Sequence, residues 1–255
     1  MRTDYFSLEG RLALVTGSSQ GIGYALAEGL ATYGARVALN GRDPHKLDAA
    51  AAALREKGLA VDVAAFDVTD QASVAAGVAE IEERLGPIAI LVNNAGVQFR
   101  APLEDYPADE WDRLLRTNVT SIFYASQAAA RYMIARGSGK IINIASVQSE
   151  LSRPRIAPYA TTKGAVRNLT RGMCTDWAHH GLQINAIAPG YFRTPLNQAL
   201  TDDVEFSAWL EKRTPAGRWG RVEELVGAAV FLASDASSFV NGHTLFVDGG
   251  ITVSL

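Results

Sequence analysis

The chain of 255 residues has a single cysteine and four histidines, and its 27 acidic and 24 basic residues nearly cancel. A lone Cys174 cannot close an internal disulfide, so a reducing compartment is expected, and beside Met173 and Trp177 the thiol reads as an inert helix or core residue. His45, His179, His180 and His243 show no metal-ligand spacing, with one another or with Cys174, so no catalytic metal is expected. No run reaches the roughly 18 apolar residues that a membrane helix needs. The opening segment Met1–Gly10 carries Asp4 and lacks an apolar signal core, which makes the cytoplasm the expected location. A net charge of −3, with Arg131, Arg136 and Lys140 scattered rather than bunched, leaves no electrostatic footprint for nucleic acid.

What the chain does have is apolar content: 48% of its residues are hydrophobic, enough to bury a large core without disulfides or metals. Short aliphatic runs alternate with longer alanine-rich stretches, the pattern of repeated βα units on a parallel sheet. The runs predict about seven strands: Leu12–Thr16, Arg36–Asn40, Val61–Phe66, Ile88–Asn93, Lys140–Ala145, Leu182–Ala188 and Thr244–Val247. They are continuous rather than alternating, as expected when helices cover both faces of the sheet. Helices are predicted near Ile22–Tyr33, Pro44–Lys57, Gln71–Leu85, Asp109–Ala135, Tyr159–His179 and Val222–Ala233. Asp43 before Pro44 offers an N-cap, and Gly34 and Gly58 sit where helix ends need a left-handed residue. No linker or repeat divides the chain, so a single domain over residues 1–255 is expected. The one long interruption, Gly190–Gly220, follows a strand's carboxyl end and reads as a substrate lid.

The first strand runs into Gly17-Ser18-Ser19-Gln20-Gly21-Ile22-Gly23 and then a helix, an order that lets a pyrophosphate approach backbone N–H groups at the positive helix end. By itself such a loop is equally a tight βα turn. Here it is joined by Asn93-Asn94-Ala95-Gly96 closing the fourth strand, Asp67 after the third, Asn118 in a long helix, Ser146 after the fifth strand, Tyr159 and Lys163, and Pro189-Gly190 after the sixth. Together these motifs resemble the short-chain dehydrogenase/reductase family over essentially the whole chain. The resemblance implies a Rossmann-like, doubly wound parallel α/β sheet, a nicotinamide cofactor and, as a family habit, a homotetramer. Its interfaces would involve Asp109–Ala135, Tyr159–His179 and the C-terminus. A smaller set, Leu39–Arg42, Ser146–Leu151, Arg213–Gly220 and Val247–Leu255, is similar to members that interconvert gluconate and 5-ketogluconate.

The resemblance places the cofactor against Gly17, Ser19, Gln20, Gly21, Ile22, Gly23, Arg42, Asp67, Val68, Asn94, Ala95, Gly96, Tyr159, Lys163, Pro189, Gly190 and Thr194. NADP(H) is expected over NAD(H), because the end of the second strand offers Gly41 and Arg42 where NAD-specific folds carry a carboxylate. Gln20 departs from the basic residue common there in NADP-preferring relatives, so NAD(H) stays possible. For Asn93 and Asn94 the alternative is strand-end turn chemistry, and for Asp67 a helix cap.

Reducing a ketone by hydride leaves an alkoxide that must gain a proton, which calls for a tunable acid/base. Tyr159 and Lys163, four apart on a predicted helix, share a face. Working near neutrality would need the phenol to fall roughly 2–3 units below its ordinary value of about 10, with the Lys163 ammonium and the nicotinamide charge as sources. The family assigns Ser146 to the substrate oxygen, Lys163 also to the ribose hydroxyls, and Asn118 to a water linking Lys163 to solvent. Arg100 and Arg153, on loops at the carboxyl edge, are candidates for a substrate carboxylate; Gln148 and Glu150 are candidates for its hydroxyls. A small-molecule sugar acid is thus the expected partner, with no nucleic acid and no membrane. Two other readings stay open: a reductase of another carbonyl such as a 3-oxoacyl thioester, and a dinucleotide sensor without chemistry.

Overall fold

The computed structural model describes residues 4–254; the first three residues of the opening segment and Leu255 of the terminal motif lie outside the described residues. Seven strands, β1 (Leu12–Val15), β2 (Arg36–Gly41), β3 (Val61–Ala65), β4 (Ile88–Asn93), β5 (Gly139–Ile144), β6 (Leu182–Pro189) and β7 (Thr244–Val247), form one parallel sheet in the order β3-β2-β1-β4-β5-β6-β7. The order reverses between β1 and β4, the place where open α/β sheets leave a crevice at their carboxyl ends.

The helices are α1 (Gly21–Thr32), α2 (Pro44–Glu56), α3 (Gln71–Arg84), α4 (Ala108–Leu115), α5 (Ser121–Arg136), α6 (Ala157–Trp177), α7 (Gln198–Thr201), α8 (Val204–Arg213) and α9 (Val226–Ala233). Neighbouring strand residues enter different cores. Val15 and Ile142 pack with Leu26, Leu30, Leu47 and Val230 of α1, α2 and α9. Leu14 and Ile141 pack with Val78, Ile122, Met133 and Val166 of α3, α5 and α6. Each such aliphatic side chain contributes about 1.5–3 kcal/mol on burial, and because both faces are covered the strands are largely apolar on both sides, the buried Asn40, Asn93, Asn143 and Asn185 being held by hydrogen bonds. Among the described residues no helix is long and apolar enough to cross a membrane.

Local chemistry sets the boundaries. The Asp43 carboxylate accepts from His45 N at 3.0 Å and Lys46 N at 3.3 Å to start α2. Gly34 and Gly58, after α1 and α2, take φ of +100° and +79°. Asp67 does not cap α3; that role belongs to Asp70, which accepts from Ser73 N.

Two expectations give way. The predicted helix over Asp109–Ala135 is interrupted at Arg116–Thr120 by a wide turn, in which Ser121 N–H reaches back to the Arg116 carbonyl. Residues 190–220, for which no helix was expected, contain a 3-10 turn at Pro195–Asn197, α7 and α8. Asp203 caps α8 by accepting from Phe206 N at 3.0 Å, and Leu210 buries against Val147, Trp219 and Ile251. A helix this short has too few turns to show its period among charged neighbours, which is why it was read as loop.

Candidate active site

Across the carboxyl ends of β1, β4, β5 and β6 lies a cavity of about 1030 Å³. The β1–α1 turn brings Gly17, Ser19, Gln20, Gly21 and Ile22 to it; the loops after β2 and β3 bring Arg42, Asp67 and Val68. The loop after β4 adds Asn94, Ala95, Gly96 and Arg100, the one after β5 adds Ser146, Gln148 and Arg153, α6 adds Tyr159 and Lys163, and β6 ends in Pro189 and is followed by Gly190 and Thr194. Gly23 and Asn118 stand behind the wall rather than in it.

At the glycine turn the lack of side chains is obligatory. Gly17 has φ +62°, and a Cβ there would lie 2.9 Å from Ala95 Cα; a Cβ on Gly23 would lie 2.4 Å from both Asn94 Nδ2 and the Gly17 carbonyl. The Asn94 amide fills that space, donating to Thr16 O at 3.0 Å and Gly17 O at 2.9 Å, while Thr16 Oγ1 accepts from Asn94 N and Ala95 N. Asn94 therefore staples β4 to the turn and has no donor left for a ribose. Asn93 points the other way, into a buried set with Ser126 and Asn143. Helix α1 begins with neither a side-chain cap nor an acidic residue in its first turn, and its first residues, Gly21 and Ile22, line the cavity. Glycine-lined and positive, this end fits the phosphates of a dinucleotide.

Farther along, Gly41 presents no carboxylate and the mostly exposed Arg42 guanidinium sits 4.0 Å from Asp67. Burial works to raise the Asp67 carboxyl, but two hydrogen bonds from Thr69, each 2.8 Å, and the Arg42 charge hold it below its ordinary range.

At the opposite end Ser146 caps the short 3-10 turn Val147–Ser149, its Oγ accepting from Gln148 N at 3.2 Å. Tyr159 stands across from it on the first turn of α6. Burial pushes the Tyr159 phenol up to about 12; a hydrogen bond with Ser146 and the Arg100 charge oppose this, and Tyr191 adds to it. The expected drop supplied by Lys163 is thus absent from the protein's own electrostatics. The reason is geometric: the buried Lys163 ammonium donates to Ile144 O at 2.7 Å, lies 5.7 Å from the centre of the Tyr159 ring, and is itself pushed down to about 8 by burial. Asn118 is buried and fully engaged through its side chain. Its side chain accepts from Val97 N at 2.8 Å and donates to Val97 O and Thr162 Oγ1, tying the loop after β4 to α6.

Two guanidiniums close the cavity beyond Ser146. Arg100 donates to Gln98 Oε1 at 2.9 Å, and Arg153 lies over the Phe206 ring at 5.3 Å. The Nε of each is buried and has no hydrogen-bond partner among the described residues. Burial, then the neighbouring Arg153 charge, lowers the pKa of Arg100. Glu150, expected near the substrate, pairs with Arg167 outside the cavity instead. Sequence reasoning missed Tyr191, whose ring packs edge-on to Trp219 at 5.9 Å and against Phe206 at 5.7 Å. An aromatic directly after Pro189-Gly190 was the available signal.

The family model described as Enoyl-(Acyl carrier protein) reductase matches residues 17–252. The gluconate 5-dehydrogenase of Gluconobacter oxydans (strain 621H) is 64% identical over 252 residues, covering 99% of this chain and 98% of that protein. The 5-keto-D-gluconate 5-reductase of Escherichia coli (strain K12) is 52% identical, covering 99% of each. Among solved structures, a gluconate 5-dehydrogenase from Burkholderia cenocepacia J2315 in complex with NADP and tartrate superposes with a TM-score of 0.97, at 60% identity and 99% coverage of both chains.

Proposed function

Since the chain belongs to the short-chain dehydrogenase/reductase family, we propose that it transfers hydride between NADP(H) and a sugar acid, interconverting D-gluconate and 5-keto-D-gluconate. The observation that carries this reading is one cavity with Ser146, Tyr159 and Lys163 in its wall and two incompletely paired guanidiniums beyond them. A carboxylate satisfies such guanidiniums by charge-assisted hydrogen bonds, and a long acyl thioester has no use for them. Tartrate, bound by the Burkholderia relative, is likewise a hydroxylated carboxylate.

When bound, NADP(H) supplies or accepts the hydride. Tyr159 moves the proton: it donates to the nascent alkoxide in reduction and accepts from the alcohol in oxidation. The Ser146 hydroxyl holds the reacting oxygen beside it, and Lys163 presents its ammonium under the Tyr159 ring and toward the ribose. The α1 N-terminus receives the pyrophosphate, Arg42 the 2′-phosphate, and Asp67 with Val68 border the adenine. Arg100 and Arg153 take the carboxylate, and residues 190–220 cover the substrate. Exposed Trp111, Phe123 and Tyr132 on α4 and α5, and Val253 near the C-terminus, support assembly as a homotetramer, and the cytoplasm is the proposed location.

The test is NADPH oxidation with 5-keto-D-gluconate, neutral keto sugars and a 3-oxoacyl thioester, repeated with NADH. The highest kcat/KM is expected for 5-keto-D-gluconate with NADPH. A higher value for the thioester would overturn the reading.

A further inference from the structure

Gln148 is more than nine-tenths buried, yet its side-chain carbonyl has no hydrogen-bond partner among the described residues. Its amide nitrogen, in contrast, is engaged, donating to the Tyr191 hydroxyl at 3.2 Å. That bond occupies the phenolic oxygen as acceptor and leaves the phenolic proton free to donate. Both residues line the cavity. One acceptor and one donor, held side by side, therefore face whatever fills it.

We infer that Gln148 and Tyr191 form a hydroxyl-reading pair that selects substrates carrying a hydroxyl between the reacting carbon and the carboxylate. The inference rests on the sugar-acid reading given above and adds Tyr191 as a specificity-determining residue. An alcohol both donates and accepts, so one carbinol satisfies Gln148 Oε1 and the Tyr191 proton together. A methylene satisfies neither and leaves a desolvated carbonyl behind; a ketone can only accept, and leaves the same Oε1 orphaned.

The pair is rigid. Gln148 N is anchored to Ser146 Oγ at 3.2 Å, and the Tyr191 ring is fixed between Trp219 and Phe206. Its position also fits a contact in mid-chain, because the Tyr191 phenol acts electrostatically on Tyr159, at the reacting oxygen, and on Arg100, at the carboxylate end.

The experiment measures NADP-linked oxidation of D-gluconate and its 2-, 3- and 4-deoxy analogues by the wild type, Tyr191→Phe and Gln148→Met. In the wild type one deoxy acid should be worse than gluconate by about 10–100-fold in kcat/KM. Both substitutions should impose that loss on gluconate and leave the same deoxy acid within about 3-fold, so that discrimination collapses; the double variant should be no worse than either single one. Tyr191→Phe keeps the ring in its aromatic setting, and NADPH affinity by fluorescence checks that each variant is folded. Should Gln148→Met fail that check, Tyr191→Phe decides alone. Equal losses on all four acids, or a wild type indifferent to which hydroxyl is missing, would refute the pair while leaving the sugar-acid reading intact. A wild type inactive on gluconate itself would instead refute that reading, and the pair with it.

Discussion

Lys163 holds its ammonium 5.7 Å from the centre of the Tyr159 ring while donating to the Ile144 carbonyl, so the two side chains are neighbours without a direct hydrogen bond. Each is displaced by burial away from its charged form, the phenol up to about 12 and the amine down to about 8. In the mechanism proposed above the phenolic hydroxyl carries the proton and Lys163 is the amine that lies against its ring. Tyr159→Phe, which keeps the ring and removes the hydroxyl, is expected to abolish turnover with little change in NADPH affinity. Lys163→Ala is expected to damage both. Steady-state rates beside fluorescence titration separate these outcomes, and near-normal turnover in Tyr159→Phe would end the mechanism.

Stability should depend on pH through the same lysine. Unfolded, its amine titrates at about 10.4; folded and without cofactor, at about 8. Between these values the unfolded chain holds a proton that the folded chain has lost, so stability rises with pH across that window, and the full burial penalty is present below it. Lys140, also buried and lowered to about 8, adds to the rise. Tyr159 acts oppositely above pH 10, where the unfolded phenol ionises first. Lys163→Met should thus stabilise the protein at pH 7.5, by a margin that shrinks at pH 9.5. Urea denaturation at both pH values measures it; a margin independent of pH would contradict the shift.

The preference for NADP(H) should depend on Arg42. Its side chain is 73% exposed, so its contact with a 2′-phosphate is screened by solvent and salt. Arg42→Ala is expected to lower kcat/KM for NADPH by about 5–30-fold, less at high ionic strength, and to leave NADH nearly unaffected. Equal losses with both cofactors would assign the guanidinium to general structure.

Arg100 and Arg153 make a sharper case, because the Nε of each is buried without a partner. Replacing either by alanine should cost roughly 2–4 kcal/mol with 5-keto-D-gluconate, or some 30- to 1000-fold in kcat/KM. A neutral keto sugar should lose far less. Matching losses on the two substrates would remove the carboxylate from the account.

The strands were legible to within a residue or two at their ends, since a sheet buried on both faces makes each strand a mostly continuous apolar run, even where a hydrogen-bonded Asn143 or Asn185 interrupts it. The residues of the cavity wall were legible as motifs on strand ends. Three things were not. Helix α8 is too short to declare a period; the wide turn at Arg116–Thr120 looks helical in composition; and the burial that raises Tyr159 sums contributions from segments far apart in the chain. Tyr191 escaped for a related reason: its importance lies in the hydrogen bond from Gln148, 43 positions away.

The wide turn at Arg116–Thr120 has a consequence for how this segment can change over generations. A turn of this kind accommodates one residue more than a regular helix, and one residue corresponds to a rotation of about 100°. Helices α4 and α5 are thereby set out of phase, so that Leu114 and Ile122 both face inward while Asn118 reaches Val97 and Thr162. Loss of a single codon here would restore an uninterrupted helix and swing one half about its axis, uncoupling Asn118 from the loop or turning the core face of α5 outward. A substitution at the exposed Arg116 leaves this phase intact; a change in the length of the stretch does not.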